Sequence, residues 1–214
     1  MNGEGDPQAK SRAADPAPIS REGDSVGDAA IRALVESNPG QATFAEYKLV
    51  HDIVLERAPS NVLVFGVGRD SRLWLEANLG GRTVFLEDVA EWAQRAREAS
   101  PGIVVHDIGY GLARRIMWPI LRRFHRSLLL TTLPADVLGT DWHVILVDAP
   151  RGTRWYRPGR MKSVYTASVL GARSRADVFV HDCHRRVERE SADRFLRPDR
   201  LVAQAGSMRH YRLG

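Results

Sequence analysis

Two glycines and an acidic residue downstream of them have the spacing of a nucleoside-binding site. Gly66 and Gly68 follow the apolar run Val62–Phe65, and a second apolar run, Thr83–Leu86, leads into Glu87. Glycines after a first strand let the backbone approach a ligand, and a carboxylate about 20 residues further on accepts hydrogen bonds from ribose hydroxyls. The pattern predicts an enzyme that binds an adenosine-containing cofactor.

Polar side chains that could do chemistry follow the other predicted strands as well. Because ligands bind at the carboxyl ends of the strands in open α/β sheets, these side chains should meet at one edge. A cluster of like charges needs a cation, hydrogen-bond donors or a polar ligand beside it. The residues concerned are Asp70, Ser71, Asp88, His106, Asp107, Asp148, His181, Asp182, His184 and Arg185.

Each of these residues also has a structural explanation, and the residues alone leave both open. Asp148 could cap the turn at Pro150, and Asp182 could accept hydrogen bonds from loop amides. Lone histidines such as His181 are more often satisfied polar residues than ligands.

Apolar segments alternate with amphipathic ones, which is typical of a parallel sheet covered by helices on both faces. Thr43 and Glu46 form the capping box of a helix that ends before Pro59. The last two strand-like pieces could form a hairpin at one edge. Strands are predicted at Asn61–Phe65, Thr83–Leu86, Ile103–His106, Val144–Val147, Val178–His181, Leu201–Ala205 and Met208–Leu213; the remaining helices are predicted at Val26–Ser37, Ser71–Asn78, Val89–Ala99, Leu112–Arg126, Arg160–Arg173 and Val187–Phe195.

The composition is that of one α/β domain. The chain has 214 residues, 43% of them hydrophobic, and a net charge of +5. All but three of the 31 basic residues are arginine, which indicates either an anion-binding surface or a general preference for arginine on a solvated surface. The basic run Arg122–Arg126 is interpreted as a solvated helix face, with a partner surface as the alternative, and no nucleic-acid partner is expected. Residues 1–24 contain almost no large apolar side chains, which predicts a disordered N-terminal tail before a single domain over residues 25–214.

Membrane partners and disulfides are not expected either. The longest apolar runs are only as long as strands, and the N-terminus lacks a signal pattern. The only cysteine, Cys183, suits a reducing compartment. We therefore expect a cytoplasmic protein.

Four stretches taken together are more specific than the glycine loop. They are Val62–Trp92, Leu133–Gly152, Pro158–Met161 and His181–Glu188. In this order they resemble the plant glucuronoxylan 4-O-methyltransferase family, the DUF579 group of polysaccharide biosynthesis, over roughly residues 43–213. The resemblance implies a Rossmann-like fold of the class I S-adenosylmethionine-dependent methyltransferases, with a seven-stranded, mostly parallel sheet whose last strand is antiparallel.

The resemblance also implies S-adenosylmethionine as the cofactor. Gly66 and Gly68 would approach its methionine part, Asp70 and Ser71 would line that end, and Glu87 would bind the ribose. Asp88 is counted with these residues. Asp107 would lie near the adenine, and Asp148 beside the sulfonium and the acceptor oxygen.

Methyl transfer from a sulfonium requires alignment and a place for the proton of the acceptor. Asp148 is the candidate base, and Asp182 or His184 could share that role. Alternatively, Asp148 and Asp182 would bind a divalent ion such as Mg²⁺, Mn²⁺ or Co²⁺, which would acidify the acceptor hydroxyl.

The loop Arg151–Met161 is rich in arginine and aromatic residues, which favours contact with an acidic or saccharide acceptor. Arg160 is the leading candidate because it lies in the matched Pro-Gly-Arg-Met motif. Arg157, Tyr156 and Arg185 are the further candidates. An exposed loop in an arginine-rich protein is the structural alternative.

These observations predict an S-adenosylmethionine-dependent O-methyltransferase acting on the hydroxyl of a sugar, a uronic acid or a related small metabolite. A carboxyl- or N-methyltransferase of a natural-product intermediate is the alternative, followed by an RNA-binding or RNA-modifying protein and a non-catalytic subunit. Plant relatives carry a membrane anchor where this chain has a polar tail, so a bacterial source is expected. A homodimer is left open.

Overall fold

Seven strands form one mixed sheet in the computed structural model, which describes residues 22–214 and the side chains of residues 26–214. The strand order is β3-β2-β1-β4-β5-β7-β6. Strands β1 to β5 pair in parallel, whereas β7 runs antiparallel to both β5 and β6. The strands are β1 Asn61–Phe65, β2 Arg82–Glu87, β3 Val104–Asp107, β4 Val144–Val147, β5 Asp177–Val180, β6 Leu201–Ala205 and β7 Met208–Arg212.

Helices cover both faces of this sheet, as the alternating pattern predicted. None of the helices among residues 22–214 has the length and apolarity needed to cross a bilayer. The α-helices are α1 Glu22–Ser37, α2 Phe44–Arg57, α3 Ser71–Ala77, α4 Ala90–Ala99, α5 Trp118–Leu121, α6 Ala135–Gly139, α7 Met161–Gly171 and α8 Arg186–Phe195; short 3₁₀ helices lie at Arg115–Met117, His125–Leu128 and Pro198–Arg200.

The two faces of the sheet bury separate hydrophobic cores. On one face, α1, α2 and α3 contribute Ile31, Val50 and Trp74 to one cluster of buried side chains. On the other face, α7 contributes Val164 and Leu170 to a second cluster. Strands β1 and β4 are buried on both faces and therefore read as continuous apolar runs, with each large side chain contributing about 1.5–3 kcal/mol.

Two sequence predictions need correction. The helix predicted over Leu112–Arg126 is broken into a 3₁₀ turn, the four-residue α5 and another 3₁₀ turn, because Pro119 is tolerated only in the first turn of a helix. The tail predicted over residues 1–24 overlaps the start of α1 at Glu22, and its residues 1–21 lie outside the described part of the chain.

The switch in strand order lies between β1 and β4. These strands pair directly, although 78 residues lie between the end of β1 and the start of β4. Phe65 faces Val147, and the amide of His143 donates to the carbonyl of Asn61. From these two strands the sheet extends in opposite directions. A crevice is therefore expected outside the carboxyl ends of β1 and β4, where α/β folds bind their ligands.

Candidate active site

A cleft of about 990 Å³ lies at this carboxyl edge of the sheet. It is lined by residues from the ends of β1, β2, β4 and β5, so the prediction that the strand-end side chains meet is confirmed for most of them. The sequence-predicted residues on its walls are Gly66, Gly68, Asp70, Glu87, Asp88, Asp148, Arg157, Arg160, Asp182, His184 and Arg185.

The loop after β1 has the conformation that its glycines permit. Gly66 has a φ of +109°, and a Cβ there would lie 3.1 Å from the Cβ of Ala149. Gly68 donates its N–H to the Oγ of Ser71 at 3.0 Å. Ser71 is buried and does not line the cleft, so the structure gives no support to its predicted contact with the cofactor.

Glu87 is held rigidly at the edge of the cleft by main-chain donors. Its Oε2 accepts from the amide of Val67 at 2.8 Å, and its Oε1 accepts from the amides of Asp88 and Val89 at 3.0 and 2.9 Å. Burial raises the pKa of the Glu87 carboxyl more than these amides lower it. Since a carboxylate offers about four acceptor positions, Glu87 keeps capacity for a ligand hydroxyl.

Asp70 stands across the glycine loop from Glu87. The indole N–H of Trp74 donates to its Oδ2 at 3.1 Å. Burial and the nearby charge of Asp148 raise the pKa of Asp70 to about 6. Asp70 is therefore ionised at neutral pH and takes up a proton under mildly acidic conditions.

On the β4 and β5 side of the cleft, one arginine bridges the two predicted catalytic acids. The Nη2 of Arg160 lies 2.9 Å from Oδ1 of Asp148 and 2.5 Å from Oδ2 of Asp182. Arg185 approaches the same Oδ2 of Asp182 at 2.7 Å. Burial raises the pKa of Asp148, but Arg160 and His181 outweigh it and hold that pKa below its usual range.

The predicted role of Arg160 in substrate binding requires a side chain that is free to contact the acceptor, whereas its guanidinium is already paired with two carboxylates. Arg160 is only 5% exposed. Its Nε and Nη1 are buried and find no hydrogen-bond partner among the described residues. Its guanidinium pairs with both carboxylates and lowers the pKa of Asp148, and the residue also lines the cleft.

His181 is the residue that the sequence prediction undervalued. Its Nδ1 lies 2.7 Å from Oδ1 of Asp148, and its Nε2 lies 3.7 Å from Oε1 of Glu46. Burial disfavours the charged imidazole, but Asp148 raises the pKa of His181 above its ordinary value. Its place directly after β5 was the only sequence signal.

Glu46 connects this network to the start of α2 and to the turn between β6 and β7. It completes the predicted capping box with Thr43 and also accepts from the amide and hydroxyl of Ser207, both at 2.7 Å. These donors outweigh burial and lower the pKa of Glu46 to about 2. The capping box was predictable, whereas the contact with the β6–β7 turn was not.

A divalent ion fits this arrangement poorly. Asp148, His181 and Asp182 bring ligand atoms within 4.8 Å of one another, and such oxygen and nitrogen donors suit divalent metals. However, the guanidinium of Arg160 already bridges both carboxylates, and a metal there would meet its positive charge. The arrangement gives the predicted metal no support, and no step is derived through it.

The loop that would cover the acceptor rests on a buried ion pair. Arg115 donates from Nη1 to the carbonyl of Gly152, and its Nη2 lies 3.4 Å from the buried Glu188. A Cβ on Gly152 would lie 2.4 Å from Oε1 of Glu188, and one on Gly159 would lie 2.6 Å from Cγ of Arg115. A side chain at Gly152 or at Gly159 would therefore collide with this ion pair.

A smaller cavity of about 400 Å³ adjoins the cleft at Asp88 and Arg157. Tyr156 lines this cavity rather than the main cleft, together with Tyr110 and Arg114. The smaller cavity therefore lies next to the part of the cleft where Glu87 would bind a ribose.

Asp107, which was predicted to lie near the adenine, has its side chain outside both cavities. Its carboxylate pairs with Arg97 at 2.8 Å, is 58% exposed and lines neither cavity. The next residue, Ile108, donates its amide to the carbonyl of Glu87 at 2.8 Å and lines the smaller cavity. The chain thus turns toward the site one residue later than predicted.

Comparison with known proteins gives one family. Residues 45–126 and 120–211 match the family model described as IRX15/IRX15L/GXM. Glucuronoxylan 4-O-methyltransferase 2 of Arabidopsis thaliana is 36% identical over 210 residues, which cover 88% of this chain and 71% of that protein. Arabinogalactan O-methyltransferase 2 of the same plant is 33% identical over 195 residues, covering 81% and 67%.

Among solved structures, the chain resembles a methyltransferase-like protein from Silicibacter pomeroyi. The identity is 15%, the TM-score is 0.45, and the likeness covers 81% of this chain and 88% of that one. The two relatives above are plant proteins, so they give no support to the predicted bacterial source.

Proposed function

Because the chain belongs to the IRX15/IRX15L/GXM family, as its motifs predicted, we propose that it transfers a methyl group from S-adenosylmethionine to a saccharide hydroxyl. The family includes proteins named as O-methyltransferases of glucuronoxylan and of arabinogalactan. The observation that supports this most is the cleft itself, which is lined both by Glu87, the candidate ribose-binding acid, and by Asp148, the candidate base.

Glu87 and the glycine loop suit the nucleoside end of the cofactor. Glu87 is fixed by three amides and retains acceptor capacity for a ribose hydroxyl, and Gly66 brings the backbone close. Asp70 is placed to accept from the ammonium group of the methionine part. When bound, S-adenosylmethionine supplies the electrophilic methyl group and the thioether leaving group.

Asp148 is the residue that would receive the proton of the acceptor. Arg160 and His181 both contact its Oδ1, which leaves Oδ2 for the acceptor hydroxyl. Asp148 would accept the proton that the acceptor hydroxyl loses on methylation. Asp182 holds Arg160 in place and also pairs with Arg185, and His184 stands exposed at the rim.

The acceptor would enter beside the loop Arg151–Met161. Arg157 lines both cavities, and Tyr156 lies at the entrance of the smaller one, where an aromatic face can stack on a sugar ring. Reaction at a nitrogen is not favoured, since the two relatives are named as O-methyltransferases. Reaction at a carboxylate is not favoured, since the name of the glucuronoxylan enzyme specifies the oxygen at position 4.

The test is to incubate the protein with methyl-labelled S-adenosylmethionine and fragments of glucuronoxylan or arabinogalactan. We expect label in the saccharide that survives mild alkali, as a methyl ether does. Label that mild alkali releases would indicate a methyl ester and the carboxylate alternative. No transfer to any saccharide, with transfer to a small metabolite instead, would contradict the proposed acceptor class.

A further inference from the structure

Four large apolar side chains are exposed on the short segment between β3 and β4. This stripe consists of Leu112, Ile116, Ile120 and Phe124, which are 85, 63, 60 and 67% exposed. Large apolar residues scattered singly on a surface are ordinary, but four of them within 13 residues of one surface segment indicate an interaction site.

The stripe is held outward by a firmly packed underside. On the same segment, Trp118 and Leu128 are buried against Met161 and Val187. The indole N–H of Trp118 donates to Oε2 of Glu190 at 2.7 Å. The segment therefore has its own small core, and its outward face is a fixed feature of the fold.

The same surface is strongly basic. Residues 108–135 contain five arginines and one histidine but no aspartate or glutamate. Arg122, Arg123 and Arg126 are exposed beside the stripe. Trp155, which is 67% exposed, extends the surface, since its carbonyl accepts the amide of Ile116 at 3.3 Å.

Charge and side-chain type together select one kind of partner. A second copy of this face would bring like charges together. A saccharide or an RNA is bound mainly through stacking rings, whereas three of the four residues of the stripe are aliphatic and only Phe124 offers a ring. An anionic lipid bilayer accepts aliphatic side chains without fixed geometry and attracts arginines at its headgroups.

We propose that the surface formed by Leu112, Ile116, Ile120, Phe124, Arg122, Arg123 and Arg126 docks the protein on anionic lipid bilayers. This goes beyond the proposed methyl transfer and does not depend on it. It also departs from the prediction of no membrane partner, which rested on the lack of a spanning segment. Docking here would place the adjoining loop and its cleft at the bilayer surface.

The test is co-flotation of the full chain with phosphatidylcholine vesicles that contain or lack phosphatidylglycerol. We expect binding only when phosphatidylglycerol is present, and weaker binding at higher salt. The triple variant R122Q/R123Q/R126Q should lower the partition coefficient on the order of 100-fold, from about fivefold per arginine. The double variant I120S/F124S should lower it by at least about tenfold.

Matched controls separate this surface from overall charge and hydrophobicity. R72Q/R95Q/R197Q removes the same charge from exposed arginines that lie outside this segment. L79S/V202S removes two exposed apolar residues from other surfaces. Both controls should bind as the unaltered chain does.

Three outcomes would overturn the proposal. The first is no binding of the unaltered chain to phosphatidylglycerol vesicles. The second is an equal loss in the control and test variants. The third is binding that depends on the arginines but not on Ile120 and Phe124, which would indicate a soluble polyanion. Circular dichroism checks that each variant is folded, and the methyl-transfer assay is read separately.

Discussion

The two halves of the cleft are built in different ways. On the β1–β2 side, Glu87 is positioned by backbone amides within two residues of itself and by the loop after β1. On the β4–β5 side, Asp148 and Asp182 are positioned by the side chains of Arg160 and His181, which come from distant points of the chain.

This difference separates binding from chemistry. A group held by main-chain amides cannot be altered much by mutation elsewhere, which suits a constant ligand such as a nucleoside. A group held by side chains can be tuned by each of them, which suits the proton-accepting residue and a variable acceptor. Variants on the β4–β5 side should therefore change turnover and leave nucleoside affinity intact.

The largest effect is expected for Asp148→Asn. An amide cannot accept the hydroxyl proton, so the methylation rate should fall by about 10³-fold, within the usual range for a lost general base. Affinity for S-adenosylmethionine should change less than about threefold. Both are measured by initial rates and calorimetry, with Asp107→Asn, off the cleft, as the matched control. A D148N rate near that of the unaltered protein would remove Asp148 from this role.

The second prediction concerns the ion pair between Arg115 and Glu188 beneath the loop Arg151–Met161. Glu188→Leu leaves the largely buried guanidinium of Arg115 without its acidic partner and should lower the free energy of unfolding by about 3 kcal/mol. Urea denaturation measures the loss, and trypsin should cut the arginine-rich loop Arg151–Met161 faster. Glu98→Gln, an exposed acid on α4, is the control. Unchanged stability together with unchanged cleavage would show that the Arg115–Glu188 pair does not hold the loop in place.

Glu46 should make stability depend on pH. Its pKa is about 2 in the folded protein and 4.5 ordinarily, so the unfolded chain binds more protons as the pH falls. The stabilisation is complete above about pH 4.5 and is lost between about 4.5 and 2. Solvent at the cleft wall screens part of it, which leaves about 2 kcal/mol.

The comparison of Glu46→Gln with the unaltered protein measures this contribution. In urea denaturation the gap in unfolding free energy should be widest near neutral pH and should close as the pH falls through that window. A gap that stays constant over the same range would show that Glu46 does not act through its charge.

A smaller effect is expected for Arg160→Gln. Arg160 lowers the pKa of Asp148, so its removal should raise that pKa. The acidic limb of the pH–rate profile should then move to higher pH. Arg154→Gln, in the same loop, is the control. An acidic limb that stays in place or moves to lower pH would contradict the bridge between the two acids.

The local parts of this fold were predictable from the sequence. The bounds of β1, β4 and β6 were predicted to the residue, because each is a short apolar or alternating run between turn residues. Glu87 was found in the same way, since its role follows from the strand that it ends. These features depend on neighbours within a few residues.

The contacts made at long range were not predictable. The bridge from Arg160 to Asp148 and Asp182 joins three segments, and it depends on a turn in which Asp182 takes a φ of +62°. Asp107 was misplaced because the end of a strand fixes the position of a residue but not the partner, here Arg97, that its side chain finds.

Calorimetric titration with S-adenosylhomocysteine, the demethylated product, tests the central claim most directly. We predict one binding site per chain in the unaltered protein and an affinity at least about tenfold weaker in Glu87→Gln, since the amide loses a charged acceptor for the ribose. Absence of binding to the unaltered protein, or equal affinity in both proteins, would contradict a nucleoside site held by Glu87.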